Sequence, residues 1–288
     1  MKRAFAICFA AALASSAPAA PVRVGPVEAE LVPAVESIAP GQPFTIAFRM
    51  KLDAPWHTYW INPGDSGLAP TLVWSLPEGF SAGKLEFPPP TAIPTPPFMT
   101  YGLEGEVWFL TTITPPAHLP PGDIVLAAEA EWLICHGFCL PGGARLERIL
   151  PGRATAPEPH PLHAARIAAA RDLLPTVPPD WRFHARAENR RFLLSAFPPP
   201  DFADAIPAAA FFPFDPERIR HAAPQTWRRD GNGFVLDLVP ADPAAPPPAV
   251  LAGVLVLDFP DSRRAFRVAA SFSEAASPRP SQTERNTP

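Results

Sequence analysis

Cysteine is scarce in this chain, with three residues in 288, and no two of them form a Cys-x-x-Cys motif. Thioredoxin-type chemistry through that motif is therefore excluded. Basic residues form no block, and removing Lys2 and Arg3 with an N-terminal leader would take the formal charge from −4 to −6. A nucleic-acid partner is not expected of such a chain. Long apolar runs are missing beyond the N-terminus, where "AFAICFAAALA" follows the basic "MKR" and precedes the small residues "SSAPAA". Eleven apolar residues fall short of the roughly 20 that a spanning helix needs. The pattern predicts a cleaved signal peptide over 1–20, cut after Ala19 or Ala20. Cys8 would leave with it, so Cys135 and Cys139 would remain alone in an oxidising compartment.

Proline, by contrast, is abundant, with 44 residues clustered in stretches such as "FPPP", "PTPP" and "ADPAAPPPA" between apolar runs. Such punctuation suits the loops and edges of a β protein. In "FTIAFRMKL", Phe44, Ile46, Phe48, Met50 and Leu52 alternate with period two, which predicts a half-buried strand. Further strands are expected at "TLVWSL", "KLEF", "EVWFLTTIT", "IVLAAEAEWLI" and "ARLERIL". Composition then shifts to an Ala/Arg-rich stretch, "APEPHPLHAARIAAARDLL". It reads as one helix with Leu162, Ala165, Ala169 and Leu173 on its apolar face. Strands resume as two hairpins, about "AENR" and "DGNG", followed by "AVLAGVLVLDF" and "RAFRVAASF". The expected fold is mainly β: two immunoglobulin-like antiparallel β-sandwich domains joined by a short helix. Their ranges are 21–152 and 180–272, with a helical linker over 153–179. The last residues, 273–288, carry no apolar residue larger than alanine or proline and read as a disordered tail.

The stretch "EAEWLICHGFCLPGGARL", Glu129 to Leu146, holds the chemistry. Extended chain would separate Cys135 from Cys139 by about 13 Å, whereas disulfide Cα atoms lie about 4.4–6.8 Å apart. "HGF" must therefore reverse direction if the two are to bond, and Gly137 is the residue to supply the turn. Three uses remain open. A structural staple is the common fate of paired cysteines in exported proteins, but a five-residue loop contributes only about 2 kcal/mol in the chain-entropy picture. A redox couple would use both sulfurs at one accessible place, and a protonated His136 would favour the neighbouring thiolate. A metal site would add His136 to the two sulfurs as soft donors for copper(I) or zinc. It would need a further ligand from His57, His118, His160 or His163.

Three motifs in order, "WHTYWINPGDSGLAPTLVWSLPEGF", "YGLEGEVWF" and "WLICHGFCLP", resemble the periplasmic N-terminal region of the thiol:disulfide interchange protein DsbD and of its ScsB-type relatives. The likeness spans Val22 to Pro151 and, less specifically, continues to about Phe272. It implies an immunoglobulin-like domain whose cysteine pair relays reducing equivalents between a membrane thiol-transport protein (DsbD- or CcdA-like) and periplasmic thioredoxin-like proteins. On that resemblance Cys135 and Cys139 are the reactive pair of a protein-disulfide reductase component, with no cofactor, and Cys139 is the sulfur that links to the partner. Tyr59, Tyr101 and Gly102 match positions that border the pair. The family shields its cysteines with an aromatic side chain; here Thr100 takes that place, which leaves Phe98 or Met99 as the cap. DsbD continues into membrane and thioredoxin-like domains that have no counterpart here, so the expectation is a stand-alone relay module or a truncated relative whose membrane partner is a separate polypeptide. The other reading is a periplasmic copper-binding or adaptor protein using the same cysteines. The segment from Asn62 to Gly67 reads as a turn.

Overall fold

The computed structural model describes residues 20–202 and 208–272; the expected leader and tail lie outside them. In chain order the elements of the first part are β1 (Val22–Val24), β2 (Val27–Pro33), β3 (Phe44–Leu52), β4 (His57–Gly64), β5 (Thr71–Ser75) and β6 (Ser81–Ala82). There follow β7 (Thr91–Thr95), β8 (Phe98–Glu104), β9 (Glu106–Thr114), β10 (Asp123–His136) and β11 (Phe138–Pro151). After α1 (Ala164–Asp172) come β12 (Arg182–Glu188), β13 (Arg191–Phe197), β14 (Ala208–Pro213), β15 (Thr226–Asp230), β16 (Gly233–Leu238), β17 (Val250–Asp258) and β18 (Arg263–Ser271). The protein is mainly β, as its alternating apolar runs require. Among the described residues no helix is long and apolar enough to cross a membrane.

Strands β1 to β11 build two sheets. One runs β1-β2-β3-β9-β6; the other runs β11-β10-β4-β8-β7, with β5 also paired to β10. Between them lies a core that includes Phe48, Phe109, Trp132, Ile134 and Leu146. The strands after α1 form a four-stranded sheet, β12-β13-β16-β15, and a three-stranded one, β14-β17-β18. These enclose a separate core around Phe211, Leu236, Leu255 and Val268. All the pairings between named strands are antiparallel, so each face is set by alternation along the strand.

Strand β3 spans the expected residues but is buried on both faces. Its odd-numbered residues explain why. Ala47 packs with Val32, Leu110, Ile167 and Ala170 beneath α1. Arg49 bonds Glu28 and Glu30 of β2 at 2.9 and 2.5 Å, and Glu106 of β9 at 2.5 Å. The helix itself is shorter than its composition predicts, because Pro157, Pro159 and Pro161 precede it and Pro159 bridges to Val35 instead. Its buried face is also different. Ile167 and Ala170 are buried, while Leu162 and Leu173, expected inside, are 72% and 56% exposed. "KLEF" gives only an isolated bridge, Glu86 to Leu110. Strand β2, β4 and the β7–β8 hairpin arise where no strand was predicted.

The two parts meet through a third apolar cluster. Trp60 and Tyr101, on neighbouring β4 and β8, pack against Phe212, Val254, Val256 and Ala265. Asn62, read as a turn residue, is buried here at the end of β4. Its Nδ2 donates to the Pro213 carbonyl at 2.7 Å and its Oδ1 accepts from the Gly64 amide at 3.0 Å.

Candidate functional site: a cross-strand cysteine pair

Strands β10 and β11 form one long hairpin that turns at Gly137, whose φ of +72° is a conformation glycine adopts without a Cβ clash. The pairing register sets Cys135 directly opposite Cys139 and His136 opposite Phe138. Pro141, Gly142 and Gly143 make no turn of their own; they run extended in β11, paired with Leu133, Trp132 and Glu131. The reversal comes four residues before the proline because Gly137 makes it first. Both cysteines are free thiols, with the Cys139 S–H donating to Cys135 Sγ at 2.9 Å. Cys139 is exposed and Cys135 half-buried.

The same register continues across the sheet. Cys135 pairs with His57 of β4, and His57 with Glu104 of β8. Cys139, Cys135, His57 and Glu104 thus form one row, with their side chains on one face. Tyr59, two residues beyond His57, belongs to the same face, and its hydroxyl lies 3.4 Å from Cys139 Sγ. The Tyr59 ring is fixed from two sides. It stands edge-on to His57 with centroids 5.6 Å apart, and Gly67 lies so close that a Cβ there would sit 2.1 Å from a ring carbon. Only glycine allows the Asp65–Leu68 loop to cover the tyrosine in this way.

Electrostatics separates the groups. Burial pushes the Cys135 thiol upward, the contact with Cys139 adds to that, and the Tyr59 hydroxyl opposes it. Burial also raises Tyr59 well above the ordinary tyrosine value, helped by its contacts with both sulfurs. Tyr59 therefore stays a hydroxyl that can donate to a thiolate. Burial lowers His57; Glu104 works against this and His136 with it. Its Nε2 is buried without a hydrogen-bond partner. Trp56 packs edge-on to Phe138 at 5.3 Å and to His136 at 6.2 Å, which props the hairpin tip.

The remaining residues named from the sequence divide. Gly102 pairs with Tyr59 and belongs to the thiol face. Tyr101, its neighbour in the strand, faces the other way: it is buried in the cluster with Trp60 and Phe212, its hydroxyl 2.9 Å from His221 Nδ1. Met99 packs against that same cluster, and its amide is held by Asp65 at 2.7 Å. Phe98 is half-exposed near the Pro96–Pro97 turn of the β7–β8 hairpin, six residues along β8 from Glu104. That separation is about 20 Å of strand. Thr100, at the family's capping position, is buried and bonded to Thr95 at 3.2 Å. Neither Phe98 nor Met99 is brought to the sulfurs. Two neighbours were not placed beside the pair from sequence: Trp56, which precedes β4, and His57, named only as a further metal ligand, which the period-two rule would have set beside Tyr59 had "HTYWINPG" been read as a strand. Among the described residues no three His, Cys, Asp or Glu side chains gather where they could hold a metal ion. His160 and His163 instead lie ring against ring at 4.2 Å, just before α1.

Residues 27–151 match the family described as the N-terminal region of the thiol:disulfide interchange protein DsbD. They form a DsbD-type N-terminal domain. The N-terminal periplasmic domain of ScsB from Proteus mirabilis aligns with a TM-score of 0.63 at 15% sequence identity, covering 86% of this chain and 94% of that one. That alignment shows a shared fold and reaches past residue 151. A protein of unknown function from Porphyromonas gingivalis W83 aligns over 86% of this chain and 100% of its own, at 12% identity and a TM-score of 0.25. No curated protein matches the chain in sequence.

Proposed function

We propose that the DsbD-type domain exchanges disulfides through Cys135 and Cys139, as the reductase-side component of a periplasmic thiol relay. The observation that carries this reading is the row itself: two thiols facing each other at 2.9 Å on an open hairpin tip, with a tyrosine hydroxyl 3.4 Å from the exposed one. A staple would gain little from so short a loop, and an exchange site needs the access that Cys139 has. The chemistry is a thiolate attack on a partner disulfide, followed by resolution of the mixed disulfide by the second sulfur. Cys139 is the attacking thiol because it is the exposed one, and Cys135 resolves. The family description supports a membrane thiol-transport protein and thioredoxin-like proteins as the partners, and the leader-like N-terminus supports export.

Equilibration in glutathione buffers, followed by counting of free thiols, tests the reading. The pair is expected to titrate as one two-electron couple above about −300 mV, the region of exchange-active rather than structural bonds. A disulfide that stays closed in strongly reducing buffer would instead make it a staple.

A further inference from the structure

We propose that His57 is the base that accepts the Cys135 proton when Cys135 resolves the mixed disulfide. The inference rests on the exchange reading above and extends it to a residue outside the cysteine motif. His57 is the direct cross-strand partner of Cys135, and such partners hold their Cβ atoms about 4.5–5.5 Å apart on one face. It is buried, at 5% exposure, yet its Nε2 has no hydrogen-bond partner. An imidazole nitrogen left bare in a protein interior costs free energy, and a nitrogen without a partner is one free to take a proton.

The surroundings fit that task. Facing His57 are Cys135 from β10, Glu104 from β8, His136 at the hairpin tip and Tyr59 on its own strand. Burial keeps the ring neutral at neutral pH, and therefore able to accept. Once it is protonated, the Glu104 carboxylate next to it in the row stabilises the imidazolium. The division of labour follows from exposure. Cys139 can lose its proton to water, whereas Cys135 is half-buried and its thiol is held upward by burial, so it needs a local acceptor.

The step balances. With Cys139 already bonded to the partner's sulfur, the Cys135 S–H proton passes to the His57 imidazole. The Cys135 thiolate then attacks Cys139 Sγ, forming the Cys135–Cys139 bond and breaking the bond from Cys139 to the partner. The partner's sulfur leaves with the electron pair, so two electrons have passed from the cysteine pair to the partner. Its thiolate is protonated by His57 or by solvent.

An aromatic disulfide, dithionitrobenzoate, separates the two steps, because attack releases one coloured thiolate and resolution a second. In stopped-flow measurements on the reduced protein, wild type should give two phases, and Cys135→Ser only the first. His57→Gln should leave the first phase unchanged and slow the second about a hundredfold at neutral pH, the low end of what a positioned base contributes. The second phase of wild type should also show an inflection below the thiol's own titration, absent in the variant. Should His57→Gln fail to fold, His57→Phe keeps an aromatic ring against Tyr59 but offers no proton site, and is expected to behave the same way. Equal slowing of both phases, or a wild-type second phase that follows thiol titration alone, would overturn the role of His57 while leaving exchange intact. Absence of the second phase in wild type would sink the exchange reading itself.

Discussion

His57 carries a second consequence, for stability. Its imidazole titrates below the ordinary value of about 6.5 because burial penalises the cation. As pH falls the unfolded chain therefore takes up the proton first, and stability rises with pH wherever the unfolded state binds more protons. The contribution is complete above about pH 6.5 and is lost as pH drops through the folded value. His163 is lowered by burial too, with His160 and nearby arginines adding, and works in the same direction. Denaturant melts between pH 7.5 and 5 should show wild type losing stability on acidification, with a shallower loss for His57→Gln that retains the His163 part. Parallel pH profiles would show that His57 is paired in some other way. At this scale the cysteines were legible, since a glycine between them announces a reversal. Tyr101 was not correctly placed, although the signal existed: Tyr101 and Gly102 are adjacent in a strand, and adjacent strand residues cannot border the same face. Asn62 was illegible for a different reason, because the carbonyl it serves belongs to Pro213, 151 residues away.

The helix marks what local patterns can say about elements. Composition placed α1 well enough, but the face chosen from spacing put Leu162 and Leu173 inside, where the structure has Ile167 and Ala170. The reason is tertiary. The receiving surface is Val32, Ala47 and Leu110 on a sheet, and that surface accepts the rotation that brings Ile167 onto it. Ile167→Ala should accordingly cost about 2–5 kcal/mol, as large-to-small changes at buried sites do. Leu162→Ala and Leu173→Ala should each stay within about 0.5 kcal/mol. Urea midpoints of the three variants decide between the two faces; a reversal of the ranking would restore the face read from spacing. Strands with clean alternation and glycine-marked turns, such as β3, β9 and the β15–β16 hairpin, were legible to within a residue or two. Strand β4 was hidden by the proline and glycines of "NPGDSG", which look like a turn and are in part a strand end held by Asn62 and Met99.

In the molecule as a whole, the two pairs of sheets share the Trp60–Tyr101–Phe212 junction. Phe212 stands edge-on to Tyr101 at 4.8 Å and to Trp60 at 6.3 Å, and His221 binds the Tyr101 hydroxyl while its other ring nitrogen meets the Pro216 carbonyl at 2.7 Å. Apolar burial of this quality couples neighbouring cores, so wild type is expected to melt in one calorimetric transition. Phe212→Ala removes the wedge, at a cost of about 3–5 kcal/mol for a buried phenylalanine, and should split the transition in two. A single transition at an unchanged midpoint would mean that the junction contributes nothing.

Strand β4 serves two different audiences, His57 and Tyr59 facing the sulfurs and Trp60 and Asn62 the second pair of sheets. Strand β8 does the same with Gly102 and Tyr101. Parity therefore becomes a heritable constraint. Inserting one residue within β4 would send Tyr59 into the junction and Trp60 into the thiol row, and one within β8 would likewise exchange Gly102 and Tyr101. Lineages of this domain should accordingly change the length of these two strands in steps of two, while the proline-rich connections are free to grow or shrink by one.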